Sequence, residues 1–165
     1  MFSRITGIFT ASFLALGLMA CASPAKMDAG ANSLMADNGI VTVKSAYSME
    51  DSVARLRKDI ADKGLMFFQE IDQSKLAADA GITLRPSILL VFGNPGLGAQ
   101  FMTSNPQAGI DWPVRLLVFQ NQKGEVWAEY NDFAYIAKRH AIDDRGAQFK
   151  MASEVIASIT SSVAQ

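Results

Sequence analysis

The chain contains one cysteine, Cys21, and it stands at the end of a stretch from Ile5 to Ala20 that carries no charged residue. A single thiol cannot close an internal disulfide, so a fold built from this chain must rest on packing and not on a covalent staple. Arg4 is the one charged residue ahead of the stretch. Once its polar start and small-residue end are discounted, the apolar run is shorter than the roughly 20 residues a membrane-spanning helix needs. A basic start, a short apolar middle and a small residue before the break are the layout of a secretory signal. Residues 1–20 are therefore expected to be an export signal, and the folded part to lie beyond them.

The end of the run, Leu18-Met19-Ala20-Cys21, resembles the lipobox of bacterial lipoproteins. The resemblance implies a diacylglycerol on the Cys21 sulfur, removal of residues 1–20 and an acylated new N-terminus, with palmitate as the expected chain. Several chains at one site anchor stably where one would not, at about 0.8 kcal/mol per buried CH₂. Lipidation would also remove a thiol that is prone to oxidation outside the cytoplasm. The alternative is plain secretion, with cleavage near Ala22. Ala22, in place of aspartate after the cysteine, points by analogy with enterobacterial lipoproteins to the outer membrane, facing the periplasm. Residues 21–38 are small and polar and show no periodic apolar face, which reads as a lipidated flexible tether. Residues 39–165 are expected to form one domain, long enough for a sizeable core. The formal net charge is −1 and becomes more acidic without Arg4. Nucleic acid, which asks for a basic footprint, is not an expected partner.

Within the domain, the β-branched residues Ile40, Val41 and Val43 suggest a first strand. Ser48 and Asp51 have the spacing of a capping box, Val53, Leu56 and Ile60 fall on one helical face, and Gly64 follows Lys63. The pattern predicts a helix ending at Gly64. Leu65–Asp72 reads as a strand and Gln73–Ala80 as a short helix closed by Gly81. The continuous apolar run Ser87–Phe92 is expected to be a central strand, broken by Gly93-Asn94-Pro95-Gly96, with a further short helix over Leu97–Ser104. Pro113–Gln120 and Glu125–Tyr130 read as a hairpin turning around Lys123-Gly124. From about Asp143 to Val163 the chain is expected to be helical, with Phe149, Val155, Ile156 and Ile159 near one face. The order β-α-β-β-β-β-α predicts an α+β fold, a mainly antiparallel sheet with two long helices on one face.

Three segments carry a further resemblance. They are Leu84–Pro95 (LRPSILLVFGNP) with Gly98 following, Pro113–Val118 ahead of a glycine turn and Val126-Trp127, and Tyr130-Asn131-Asp132 leading to Tyr135 and Arg139-His140. Together they resemble the bacterial and archaeal family called domain of unknown function 302, over roughly residues 40–163. The resemblance implies a compact α+β domain of the TATA-binding-protein type that self-associates as a homodimer. It implies no activity. Members usually carry a histidine after the Ile-Asp pair of the second strand, whereas Ile71-Asp72 is followed here by Gln73, which cannot titrate.

The loop Phe92-Gly93-Asn94-Pro95, continuing to Gly98, is the leading candidate for ligand binding. Its exposed backbone N–H groups could hold an anion, and the alternative is a sharp structural turn with Asn94 bonding the bend. It lacks the Gly-Lys-Ser/Thr ending of a P-loop. Arg85 and Arg115 could hold a carboxylate or phosphate. Symmetric pairing about Gln122 would set Arg115 opposite Glu129 and Leu117 opposite Trp127, and a cross-strand ion pair is then the plainer reading. Trp112 is a loop aromatic that could face a ligand or a dimer partner. Asp72, Glu129 and His140 are weak candidates for proton transfer, with His140 expected at the surface. With one histidine, no His-cluster metal site is expected, and no nucleophile-and-base pattern is present. No cofactor is indicated. The residues favour a dimeric small-ligand-binding or sensing module in the cell envelope over catalysis. The alternatives are a structural or protein-interaction role and an enzyme using one of the three titratable groups.

Overall fold

The computed structural model describes residues 33–35 and 37–165. The expected export signal and Cys21 lie outside the described residues, and so does the tether up to residue 32. The elements run β1 (Ser33–Met35), β2 (Ile40–Lys44), α1 (Met49–Asp62), β3 (Met66–Asp72), α2 (Gln73–Asp79), β4 (Ser87–Gly93), α3 (Pro95–Ser104), a 3₁₀ turn (Pro106–Asp111), β5 (Val114–Gln120), β6 (Val126–Asn131), α4 (Phe133–Arg139) and α5 (Gly146–Ser161). The strands form one sheet in the order β1-β2-β6-β5-β4-β3. Every neighbouring pair is antiparallel. The fold is α+β, with helices packed on the sheet.

Alternation along the strands decides which face carries the core. Val41 and Val43 of β2, Leu90 and Phe92 of β4, Leu116 and Val118 of β5, and Val126, Ala128 and Tyr130 of β6 point to the same side and are buried. The α1 residues Val53, Leu56 and Ile60 and the α5 residues Phe149, Ala152, Ile156 and Ile159 close over them. Alternate positions, Leu89, Val91, Leu117, Phe119 and Trp127, face the other way and are only half-buried. An antiparallel sheet can leave one face uncovered by helices in this way.

The local signals act as the sequence suggests in most places. The Ser48 hydroxyl accepts from the Asp51 N–H at 3.1 Å, capping α1. Gly64 follows the helix at φ +65, a conformation that costs glycine little. Four features differ from expectation. Residues 33–35, read as part of the tether, pair with β2, because a sheet edge offers unpaired backbone groups to any extended segment. The 3₁₀ turn and α4 carry no amphipathic stripe long enough to read. In β3 the register shifts between Phe67 and Gln69, which leaves Phe68 outside the ladder. The β5–β6 hairpin pairs Leu117 with Glu129 and Phe119 with Trp127, centred on Lys123 and not Gln122. The reason is the turn itself: Asn121 Oδ1 accepts from both the Lys123 and Glu125 N–H groups at 2.9 and 3.0 Å. That moves the whole register by one residue at the centre and two across the ladder.

Leu56 has no exposed surface, whereas Leu76 on α2 is largely exposed. Leu56→Ala should lower the unfolding free energy by about 2–5 kcal/mol, and Leu76→Ala should change it by less than about 0.5 kcal/mol. Urea denaturation of the two variants checks this.

Candidate functional site

The segment between β4 and β5 assembles the site. Asn94 Oδ1 accepts from the Leu97 N–H at 3.1 Å and so caps α3. Pro95 fits the first turn, where its missing N–H leaves nothing unsatisfied. The structural reading of the Phe92–Gly98 loop therefore holds for Asn94, whose side chain builds the turn. The glycines serve a different purpose. A Cβ on Gly98 would stand 3.4 Å from Trp112 Cδ2, and one on Gly93 would stand 3.6 Å from Cζ3. Both positions keep a side chain out of the way of the Trp112 indole. That ring stacks on Phe101 with centroids 5.2 Å apart and on Phe133 at 5.8 Å.

Two cavities flank the indole. One, of about 170 Å³, lies between the sheet and the helices, where Phe92, Asn94, Leu97 and Trp112 face the middle of α5 and Lys63 stands at the end of α1. The other, of about 180 Å³, is lined by Phe68, Pro95, Gly98, Met102 and Pro113 around the same indole. The Trp112 N–H is buried and has no acceptor. A buried donor left unpaired costs about 1–3 kcal/mol, so such a group calls for an explanation.

The arginines lie elsewhere. Arg115 does not meet Glu129, because the hairpin register differs from the symmetric one. Its guanidinium donates to the Ile110 carbonyl at 2.7 Å and lies 3.5 Å from Asp111 Oδ1. Glu129 instead accepts from the Thr42 hydroxyl at 3.2 Å. Arg85 stands at an open cavity of about 800 Å³ beside Leu117 and Phe119, on the sheet face opposite the core. Neither arginine lines the cavities at Trp112.

Among the titratable candidates, Asp72 is the cap of α2, accepting from the Lys75 N–H at 2.8 Å and the Ser74 hydroxyl at 2.6 Å. The hydroxyl first, and then the backbone N–H, hold its carboxyl below the usual carboxylate range. Gln73 accepts from the Ser87 hydroxyl at 2.8 Å. His140 is not on the surface. Its Nε2 shares a 2.6 Å hydrogen bond with Asp111 Oδ2, and the side chains are 6% and 2% exposed. Arg139 donates to both Asp111 oxygens, at 3.0 and 3.2 Å. Asp111 gave no signal in the sequence, because its partners Arg139 and His140 lie far along the chain on another element. An acid and a base thus converge, but both side chains are buried, and Asp111 is held by Arg139 and His140 together. Among the described residues, no group of three or more His, Cys, Asp or Glu side chains could hold a metal ion.

The profile of the family described as Domain of unknown function DUF302 matches residues 41–165. A protein of Brucella suis biovar 1 named as a fluoride-specific ion channel, FluC 1, is 35% identical over 106 residues, which is 64% of this chain and 42% of that one. Its Brucella abortus counterpart is 35% identical over the same length, covering 39% of that protein. The chain thus spans about two fifths of the length of these curated relatives. A crystal structure of an uncharacterized conserved DUF302 protein from Bacillus stearothermophilus superposes with a TM-score of 0.69 at 16% identity, covering 76% of this chain and 98% of that one. At that identity the likeness bears on the fold alone.

Removing the Asp111 carboxylate strands a buried histidine beside arginines. Asp111→Ala is expected to destabilise the fold by about 3–5 kcal/mol. Arg115→Ala removes a half-exposed 3.5 Å ion pair and a hydrogen bond to the Ile110 carbonyl, and is expected to cost about 1 kcal/mol. Thermal and chemical unfolding of both variants measures the difference.

Proposed function

The chain belongs to the family described as Domain of unknown function DUF302, and from that premise, since the description names no activity, we propose that it is a dimeric small-ligand-binding or sensing module anchored in the cell envelope through Cys21. The observation that carries the binding reading is the roughly 170 Å³ space at Trp112, lined mainly by apolar side chains with Lys63 and Asn94 among them. Pockets that hold small molecules are mostly apolar with a few convergent polar groups, and this one fits that description.

The sheet face opposite the core supports the dimer. In register across it stand Ile71, Leu89 and Leu117, with Phe119 and Trp127 in the neighbouring row. A second copy of the chain would cover this apolar centre. Leu84, exposed at the edge of the same face beside Arg85, extends the patch. Contiguous apolar surface of this kind marks interaction sites. The ligand cavity lies on the helix side, so ligand and partner would not compete for one surface.

A reaction is the weaker reading. Asp72 is used as a helix cap, Glu129 is held by Thr42, and the Asp111–His140 pair is closed off. No described helix is long and apolar enough to cross a membrane, and channel activity is not carried over from the Brucella proteins. Those relatives do suggest that a segment like this one can work within an ion-channel protein, which accords with a place at a membrane. The envelope location rests on the lipobox resemblance.

Native mass spectrometry of protein purified gently from its own host should find a reproducible extra mass that denaturation releases. Ala152→Leu, which fills the cavity from α5, should abolish it while unfolding stays cooperative. Cys21→Ser should move the protein from the membrane to the soluble fraction and end palmitate labelling. Leu117→Glu should convert a dimer in light scattering to a monomer. A clean dimer with no added mass would instead favour a protein-interaction role.

A further inference from the structure

The groups around the Trp112 cavity are unequal in charge. Lys63 lines it, and no carboxylate does. Among the described residues the Lys63 ammonium makes no ion pair or hydrogen bond, although most lysines and arginines of the domain are paired. Asn94 spends its oxygen on the Leu97 N–H, which leaves its amide NH₂ without a partner. Asn94 and Leu97 also belong to the N-terminus of α3, where the helix dipole favours negative charge. The polar side-chain groups left unpaired in the lining, the Lys63 ammonium and the Asn94 amide NH₂, are therefore a cation and a donor.

The rest of the lining is apolar: Leu65, Phe92, Leu97, Val114, Phe133 and Ile156. The space of about 170 Å³ is close to that of an engineered apolar cavity of about 150 Å³ that holds benzene. Lys63 and Asn94 are exposed and so stand where this space meets solvent. We propose that the site takes a small amphiphilic carboxylate, its apolar body about the size of an aromatic ring packed against Trp112 and Phe92, and its carboxylate at the mouth against Lys63 and the Asn94 amide. The proposal rests on the ligand-binding reading above and adds the sign of the charge and the size of the body. A cationic or purely apolar molecule of the same size would leave the donors unsatisfied. A nucleotide would be too large for a space of about 170 Å³.

The test uses the purified chain and three probes of one shape: phenylacetate, 2-phenylethanol and phenethylamine. Calorimetry reads affinity, and the indole N–H resonance of Trp112 in ¹⁵N-labelled protein reports whether the cavity is the site. Phenylacetate is expected to bind about tenfold more tightly than the alcohol, to exclude the amine, and to shift the Trp112 N–H signal but not that of Trp127. Lys63→Arg should keep that preference and Lys63→Gln should erase it. Equal affinity for all three probes, or an unchanged preference in Lys63→Gln, overturns the anion assignment and leaves a ligand cavity in place. If no probe binds and the host-purified protein carries no extra mass, the cavity reading falls as well.

Discussion

One buried carboxylate holds the end of the fold around Trp112 together. Asp111 closes the 3₁₀ turn that leads into β5, and its two oxygens meet Arg139, His140 and Arg115, which come from the end of α4 and the start of β5. Asn105, at the start of the same turn, donates to the His140 carbonyl at 2.8 Å. The segment between α3 and β5 is thus tied at both ends to α4. A carboxylate this deeply buried persists because its oxygens are hydrogen-bonded to Arg139 and His140 and the Arg115 guanidinium lies 3.5 Å away. Trp112 is the next residue along the chain, so the network also fixes where the indole sits.

With Trp112 fixed, the remaining geometry follows from steric room. The indole needs the flat approach that Gly93 and Gly98 leave open, and Phe101 and Phe133 both stack on it. Phe101 in turn packs on Phe149 of α5, with centroids 4.1 Å apart. The packing around the cavity therefore runs from the sheet end through α3 to α5. A change in any one of these rings would be felt at the others, because dense interiors transmit displacement and do not absorb it.

The two faces of the sheet have different fates for one reason. Side chains alternate across a strand, so covering one face with α1 and α5 leaves the alternate positions of the same strands on the other. The centre of that face is apolar, formed by Leu89, Val91, Leu117, Phe119 and Trp127, while Thr42, Lys44, Arg115 and Glu129 stand on the same side around it; the Trp127 N–H is buried without a partner. A half-buried apolar face is usual at an interface and unusual for a surface bathed in water.

Much of the fold was legible in the chain. The capping box at Ser48, the stripe of Val53, Leu56 and Ile60, and the apolar run of β4 are local patterns, and local backbone chemistry was enough to act on them. The same holds for the Phe92–Gly98 loop and Trp112 as site candidates, since glycine spacing and a loop aromatic are visible without coordinates. The strand register of the hairpin was not, because the Asn121 side chain moved the turn centre by one residue and thereby separated Arg115 from Glu129. Nor was the burial of His140, whose partner Asp111 lies on another element. Sequence alone determined most of the elements and their order, from α1 to the β5–β6 hairpin and α5, because these depend on neighbours a few residues apart. Only the tertiary structure decided which charges meet and which face stays open, because those depend on groups that the chain brings together from a distance.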